Sequence, residues 1–546
     1  PPLCGGLAHH LEWAPDGGTL LVAFECPAEA EPDPATGLPG LPGTPRMPDT
    51  PRPRETPPPL APPQPREPPM TADAASPARA PLRDRLSARA LGAVMALELA
   101  HLATGERWSG HAAEAGVVAV AALAAHRFGL REGYLMVLCG SLAALALSTR
   151  DDAAALLLTG LDQAAFLMAF IPLIGLIEQA ARTAPAVREA GLYLIRQPPG
   201  RRWIALAAGT HAMAQLFNIG MVSLLTPLVM RGAEGDADPR LAEIRRRRGL
   251  SALLRGFSWA VVWSPTAVAP LVLSTLLPEA QRGPWIAAGF AISMLALALG
   301  WAEDRWRFRH ARAQLGLGAP SAPPAFPAAA YAELALICLI LLGLVLIFMA
   351  LTGGSVVFGL MASAPLILLG WVLRQSGGLG APARRRTAAR LRQIGGGWLP
   401  TVAPLAVTLA ASGFVGRVGA ALAPVEAWAA ALGLASMPGW LFLWGLTMGV
   451  TLLSQFALSP IMMAVFFGAL IAELPILPAD VTWAALAISC GWAMAMLASP
   501  FATVVLMAMP MTGYSGRAMT WTWNAVYAPL CAAMLAAAYA LLEGLG

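Results

Sequence analysis

The chain contains no lysine: all 37 basic residues among its 546 are arginine. Charge of either sign is scarce, at 13% of residues, roughly half of what soluble domains carry. Hydrophobic residues reach 57% and mean hydropathy is +0.60, so a soluble globular class is excluded and an integral membrane protein is implied. Cysteine is also sparse. Cys4, Cys26, Cys139, Cys338, Cys490 and Cys531 form no CxxC and no metal-ligand cluster, which argues against a disulfide or zinc framework. Four of them lie in apolar segments and read as small buried hydrophobes. No Walker motif is present, which disfavours a primary pump, and the seven histidines are scattered with no HExxH, which disfavours a membrane-embedded enzyme. The net charge of +5 comes from loop arginine and reports membrane orientation, so no nucleic-acid partner is expected.

What is present divides the chain into regions of different kind. Residues 1–87 are expected to be a disordered tail, with proline dominating from Glu29 to Pro69, as in Pro57-Pro58-Pro59-Leu60-Ala61-Pro62-Pro63. No charged lead followed by a short apolar run stands there, so a signal peptide is not expected, and Met70 reads as the natural start. Residues 88–149 follow as N-terminal membrane helices (88–104, 112–125 and 133–149), the first two weakened by Glu98, His101 and Glu114. Further apolar spans fall at 153–177, 203–230, 256–278, 284–301, 329–352, 355–373, 398–416, 437–472, 481–511 and 521–543. Most are near the roughly 20 residues that cross a bilayer, giving an all-α polytopic protein with about 11–13 membrane segments.

Arginine then fixes the path. The basic stretches 182–202, 231–255, 302–313 and 374–392 are expected to be cytoplasmic loops. Span 203–230 therefore begins and ends inside, and at about 1.5 Å per residue it is too short for two crossings. It reads as a re-entrant hairpin with its tip at Gln215-Leu216-Phe217-Asn218-Ile219-Gly220. By the same tracking 437–472 begins and ends outside, a second hairpin with its tip at Ser454-Gln455-Phe456-Ala457-Leu458-Ser459-Pro460. Each hairpin is followed by a span interrupted near its middle, by Ser264-Pro265-Thr266 in 256–278 and by Ser499-Pro500 in 481–511. Proline removes a backbone donor and clashes with the preceding turn, and hydrocarbon cannot satisfy the groups so freed. Paired interrupted spans in two halves of a chain point to a transport site. Regions 150–280 and 397–546 thus read as two inverted-topology repeats, with 281–396 as connector or scaffold. Local echoes support the match, Gln215 to Phe217 with Gln455-Phe456 and Trp259 to Pro265 with Trp492 to Pro500.

On these hairpins and Ser/Pro breaks the chain resembles the ion-transporter superfamily, which includes divalent anion:sodium symporters and arsenite and sodium/proton antiporters. The tips carry Phe217-Asn218-Ile219 and Leu458-Ser459-Pro460 in place of the divalent-anion branch's Ser-Asn-Thr. The resemblance implies a secondary carrier with a midplane site between tips and breaks, working as a homodimer through scaffold helices, in a bacterial inner membrane.

The residues expected to bind a small anion or a sodium ion are Gln215, Asn218, Ser264, Pro265, Thr266, Gln455, Ser459, Ser499, Pro500 and Thr503. Their hydroxyls, amides and freed backbone groups suit either ligand, and helix N-termini favour negative charge. A Ser-Pro pair can also simply kink a helix, with the hydroxyl bonding the preceding turn. Asp162, about 15 Å into its span, and His211 in the first hairpin are the candidates for carrying a proton or cation. Arg417 near a span end suits snorkelling or anion binding, Glu98 and His101 read as a local pair, and Trp203, Trp301, Trp440 and Trp521 read as interface anchors. No metal or organic cofactor is expected. The leading function is a proton- or sodium-coupled carrier for a small anion; a passive channel or a scaffold subunit of a larger complex are the alternatives. A chain starting at Met70 is expected to insert and transport as the full chain does, and loss of either on deleting 1–69 would refute that start.

Overall fold

Among the described residues, eleven helices are long and apolar enough to cross a bilayer, as an integral multi-pass membrane protein requires. The computed structural model describes residues 10–13, 20–23, 81–234, 238–310, 323–353, 355–474 and 476–544. Two units are distinguished, 1–75 and 76–546. In the first, where a disordered tail was expected, His10–Trp13 and Leu20–Ala23 pair as antiparallel strands with His10 opposite Ala23. The proline-rich stretch and Met70 lie outside the described residues.

The second unit is helical from Leu82, earlier than the expected boundary at 88. Helices α1 (Leu82–Thr104), α2 (Arg107–Ala124) and α3 (Leu130–Thr149) lead to α4 (Ala153–Ala181). Then come α5 (Pro185–Ile195), α6 (Pro199–Phe217), α7 (Gly220–Arg231), α8 (Pro239–Ala260), α9 (Val268–Leu276) and α10 (Arg282–Arg307). Next are α11 (Ala328–Thr352), α12 (Val356–Gln375) and α13 (Ala381–Gln393), the last running through a π-turn at Ile394–Trp398 into α14 (Leu399–Leu422). The chain closes with α15 (Val425–Ala431), α16 (Gly439–Leu453), α17 (Pro460–Glu473), α18 (Val481–Ala498), α19 (Thr503–Thr512) and α20 (Tyr527–Gly544). Local chemistry sets many of these ends. Proline opens α5, α6, α8 and α17, where its missing N–H costs nothing, and Asp238 and Asp480 cap α8 and α18 through their side chains. Gly105, Gly353 and Gly513 end helices with positive φ, which glycine adopts without strain.

Several expectations are corrected. The four basic stretches are largely helical: α5 fills 185–195, α8 begins at 239, α10 continues to 307 and α13 fills 381–393. Arg255, assigned to a loop, is 2% exposed within α8. Trp203, assigned to the interface, is buried and packs over Gly300. Cys338 is exposed rather than buried.

The centre of the unit is the pair α4 and α14, which run antiparallel. Gly160 sits against Phe414 and Val418, Gly413 against Leu167, and Gly175 against the Trp398 ring. Without a hydrophobic gradient between helices in lipid, such small residues let backbones approach and gain dispersion energy. The α6–α8 and α16–α18 contacts then repeat one design. A Cβ at Gly256 would run into the Ala207 carbonyl, and one at Gly491 would lie 3.0 Å from the Thr447 carbonyl oxygen. One turn on, His211 Nδ1 meets the Gly256 carbonyl at 3.1 Å, and Thr451 Oγ1 donates to the Gly491 carbonyl at 3.5 Å. Another turn on, Gln215 and Gln455 each donate to the carbonyl four residues back, at 3.1 and 3.0 Å. In this register Trp492 matches Phe257, not Trp259.

Gly256→Ala is expected to cost about 1–3 kcal/mol by overpacking. Gly343→Ala, where a Cβ meets nothing within 4 Å, should leave the melting temperature in detergent unchanged. Equal melting temperatures for the two variants would count against this close approach.

Candidate functional site

The two helix pairs and the two interrupted helices meet around one cavity. Each pair turns on a non-glycine residue in the left-handed region, Asn218 (φ 47°) in the first and Ala457 (φ 62°) in the second. Such conformations are costly for residues with a Cβ and persist where surrounding contacts enforce them. At the first turn, Thr266 Oγ1 donates to the Gln215 carbonyl at 2.6 Å and Asn218 Nδ2 donates to the Thr266 carbonyl at 3.2 Å. At the second, Ser499 Oγ donates to the Ser454 carbonyl at 2.7 Å. Each turn is therefore tied to the break that follows it in sequence.

The breaks are built alike. Ser264 N–H reaches the Ala260 carbonyl and Ser499 N–H the Ala495 carbonyl, the last helical bonds before each proline. The serine hydroxyl then accepts from the N–H two residues on, Thr266 at 3.3 Å and Phe501 at 3.2 Å. Pro265 and Pro500 offer no N–H, so the carbonyls of Val261 and Met496, four residues back, lose their helical donor. Both residues line the cavity.

The cavity has a volume of about 330 Å³, within the range of small-molecule sites. Four helix N-termini reach its wall: α7 through Asn218 and Ile219, α9 through Val268 and Ala269, α17 through Ser459 and Pro460, and α19 through Thr503. None of the four has a side-chain cap. Their first N–H groups and the aligned peptide dipoles give each end a partial positive charge. Among the lining residues the one acid is Glu178, at the first turn of α7. Its carboxylate accepts from Ser223 Oγ at 2.8 Å and pairs with Arg182 at 3.5 Å. A Cβ at Gly220 would fall 2.5 Å from the Glu178 side chain, so glycine lets that carboxylate reach the helix end. Aromatic rings from Phe217, Phe257, Trp398 and Trp492 supply much of the remaining wall. The Trp492 indole N–H is buried and has no hydrogen-bond partner.

Of the residues expected to bind, Asn218, Ser459 and Thr503 line the cavity. Gln215, Ser264, Thr266 and Ser499 are not on its wall and instead bind turn to break. Gln455 accepts from Trp521 Nε1 at 3.1 Å. Pro265 is exposed and Pro500 buried, each shaping the break through its missing N–H. His211 is off the cavity wall and is bonded at both ring nitrogens. Trp263 Nε1 donates to its Nε2 at 3.0 Å, so the ring proton is on Nδ1, which donates to Gly256. These two bonds tie α6 to α8 and to the segment that follows it. Asp162 is remote from the cavity and pairs with His101 at 3.9 Å, so His101 does not form the expected local pair with Glu98. Glu178 and Arg182 escaped sequence reasoning because the apolar span ended at 177, although an acid and an arginine at i and i+4 signalled that the helix ran on.

The chain matches no family model and no curated protein. Among solved structures it is similar to the Alcanivorax borkumensis YdaH transporter, whose crystal structure reveals an unusual topology. Identity is 15% and the TM-score 0.47, over 77% of this chain and 99% of that one. A similarity this loose bears on neither substrate nor mechanism.

Ser264→Ala and Ser499→Ala each remove a hydroxyl that holds a break, and each is expected to cost about 1 kcal/mol of stability. Both should also slow transport in reconstituted vesicles; wild-type transport in both variants would separate the breaks from function.

Proposed function

We propose that this protein is a secondary active transporter for an organic anion, working by alternating access and driven by a proton or sodium gradient. The observation that carries the reading is the convergence of four uncapped helix N-termini, two from each half of the chain, on one cavity. One of these ends already faces the Glu178 carboxylate, a model inside the molecule for how a substrate carboxylate would sit on another. The α9, α17 and α19 ends are faced by no acid, and the free Trp492 N–H adds a neutral donor. A cavity of about 330 Å³ with four aromatic rings is larger and more apolar than an inorganic oxyanion needs. A carboxylate attached to an apolar or aromatic body fits both parts of the wall.

Alternating access follows from pairing the halves as an inverted repeat, α4 with α14, α6–α7 with α16–α17, and α8–α9 with α18–α19. The antiparallel course of α4 and α14 supports this pairing. The two hairpins are then re-entrant, and the half-helices α9 and α19 present their positive ends to substrate near the midplane. Oxygen-rich contacts between turn and break, such as Gln215 carbonyl with Thr266 and Ser454 carbonyl with Ser499, suit a coupling cation when they part.

The test is uptake into proteoliposomes of aromatic and aliphatic carboxylates and of sulfate, with and without imposed proton and sodium gradients. Gradient-driven accumulation of a carboxylate with an apolar body is expected. Downhill leak alone would indicate a channel. Trp492→Phe keeps the ring but removes the donor, and should weaken carboxylate binding by about 1.5–3 kcal/mol, the range for a hydrogen bond to a charged group. Calorimetry showing unchanged affinity would remove Trp492 from the site.

A further inference from the structure

Far from the cavity wall, α1, α2, α4 and α14 bring acids together in an otherwise apolar packing. Glu98 on α1 is 2% exposed, and its Oε2 has no hydrogen-bond partner. Across from it, α2 contributes Glu114, itself 8% exposed and in contact with His111 Nδ1 at 3.1 Å. From α4, which packs on α1, comes Asp162, reaching His101 one turn from Glu98. His101, one turn along α1, has Nε2 3.9 Å from Asp162 and Nδ1 3.0 Å from the Glu106 carbonyl. From α14, Arg417 acts on Asp162. Helix α12 and the π-turn also pack on α1; the turn carries no charged residue, and the one on α12, Arg374, is bound to Glu333.

Two buried carboxyl groups, Glu98 and Glu114, thus lie in a low-dielectric packing with a third, Asp162, at its edge. Like charges so placed cannot all be ionised, and a buried carboxylate with an unmatched oxygen is the one that gains most from a proton. The Asp162 side chain is 55% exposed and that of His101 28% exposed, so the pair lies at the margin of the packing in which Glu98 is buried.

We propose that Glu98, Asp162 and His101 form a proton-binding site, with Glu98 as the carboxyl that is loaded and the Asp162–His101 pair as its exchange partner with the surface. On loading, one proton adds to a Glu98 carboxylate oxygen and converts it to the neutral acid; on release the proton leaves by way of Asp162 and His101. Of this site, Asp162 lies on the same helix as the cavity residues Ile171 to Glu178, and Asp162 and Glu178 are separated by about 24 Å of α4 at 1.5 Å per residue. Its role as the coupling site rests on the transport reading above, whereas proton binding itself does not. An ionisable residue inside a membrane bundle, with a partner that can exchange its charge, has the composition of a proton relay.

The experiment uses the full chain in liposomes, with two readouts. Infrared difference spectra on alkalinisation follow the carbonyl stretch of protonated carboxyl groups, and calorimetry follows binding of an aromatic carboxylate at fixed pH. In the wild type a protonated-carboxyl band should disappear on alkalinisation. Glu98→Gln should abolish that band while the protein still binds the carboxylate, and Glu98→Asp should restore a titrating band. Asp162→Asn should keep the Glu98 band but slow its exchange by about 10²-fold or more, as expected on losing a positioned proton-transfer group. An unaltered band in Glu98→Gln overturns the site, as does unaltered exchange in Asp162→Asn. Absence of carboxylate binding in the wild type would count against the anion cavity alone, since the band titrates without it.

Discussion

Backbone groups released inside hydrocarbon have no water to bind, and this constraint governs the whole membrane unit. The chain releases such groups at Asn218–Ile219, Ser264–Ala267, Ala457–Ser459 and Ser499–Ala502. It satisfies them by bringing each helix-pair turn against its own break, through Thr266 and Asn218 on one side and Ser499 on the other. What is left over, the uncapped helix starts, faces a single cavity. Only two charged side chains, Glu178 and Arg182, are found among the described residues that line it.

Holding two helix pairs and two interrupted helices in place requires a stiff surround. Close packing supplies part of it, with Gly256 and Gly491 admitting carbonyls where no Cβ would fit. A buried polar network supplies another part. Arg255 on α8 pairs with Glu303 at 2.9 Å, donates to Asn524 at 3.0 Å and lies over the Tyr527 ring. Asn524 in turn donates to the Leu497 carbonyl at 2.8 Å, two residues before the second break, while Tyr527 OH accepts from Trp259 on α8. The first half of one interrupted helix is thereby bonded to the approach to the other. Removing one partner of such a buried pair leaves an uncompensated charge, so the network resists piecemeal change.

The proposed anion cavity and the proposed proton site are separate places joined by α4. The first half of that helix carries Asp162, paired with His101, and the second carries Glu178 at the cavity. Pro172 lies between them within the helix. The direct connection between the two ends is α4 and its partner α14, whose glycine-lined contact is the most extensive surface either helix has.

Hydropathy and proline placement by themselves determined the membrane character, the span order and the position of both breaks, because apolar length and a missing N–H act locally. Arginine distribution determined where the chain leaves the apolar spans but not that those stretches are helical, since charge says nothing of backbone state. The sequence also located Asn218, Ser459 and Thr503, which sit where a helix must start again. Only the tertiary structure decided that Glu178 lies on the cavity wall, that His211 is consumed by Trp263 and Gly256, and that His101 turns to Asp162 instead of Glu98. Those pairings depend on how helices cross and rotate against one another, which spacing along one helix does not encode. The convergence of the four helix starts is of the same kind: each start was legible alone, and their meeting was fixed by the packing of the two halves around α4 and α14.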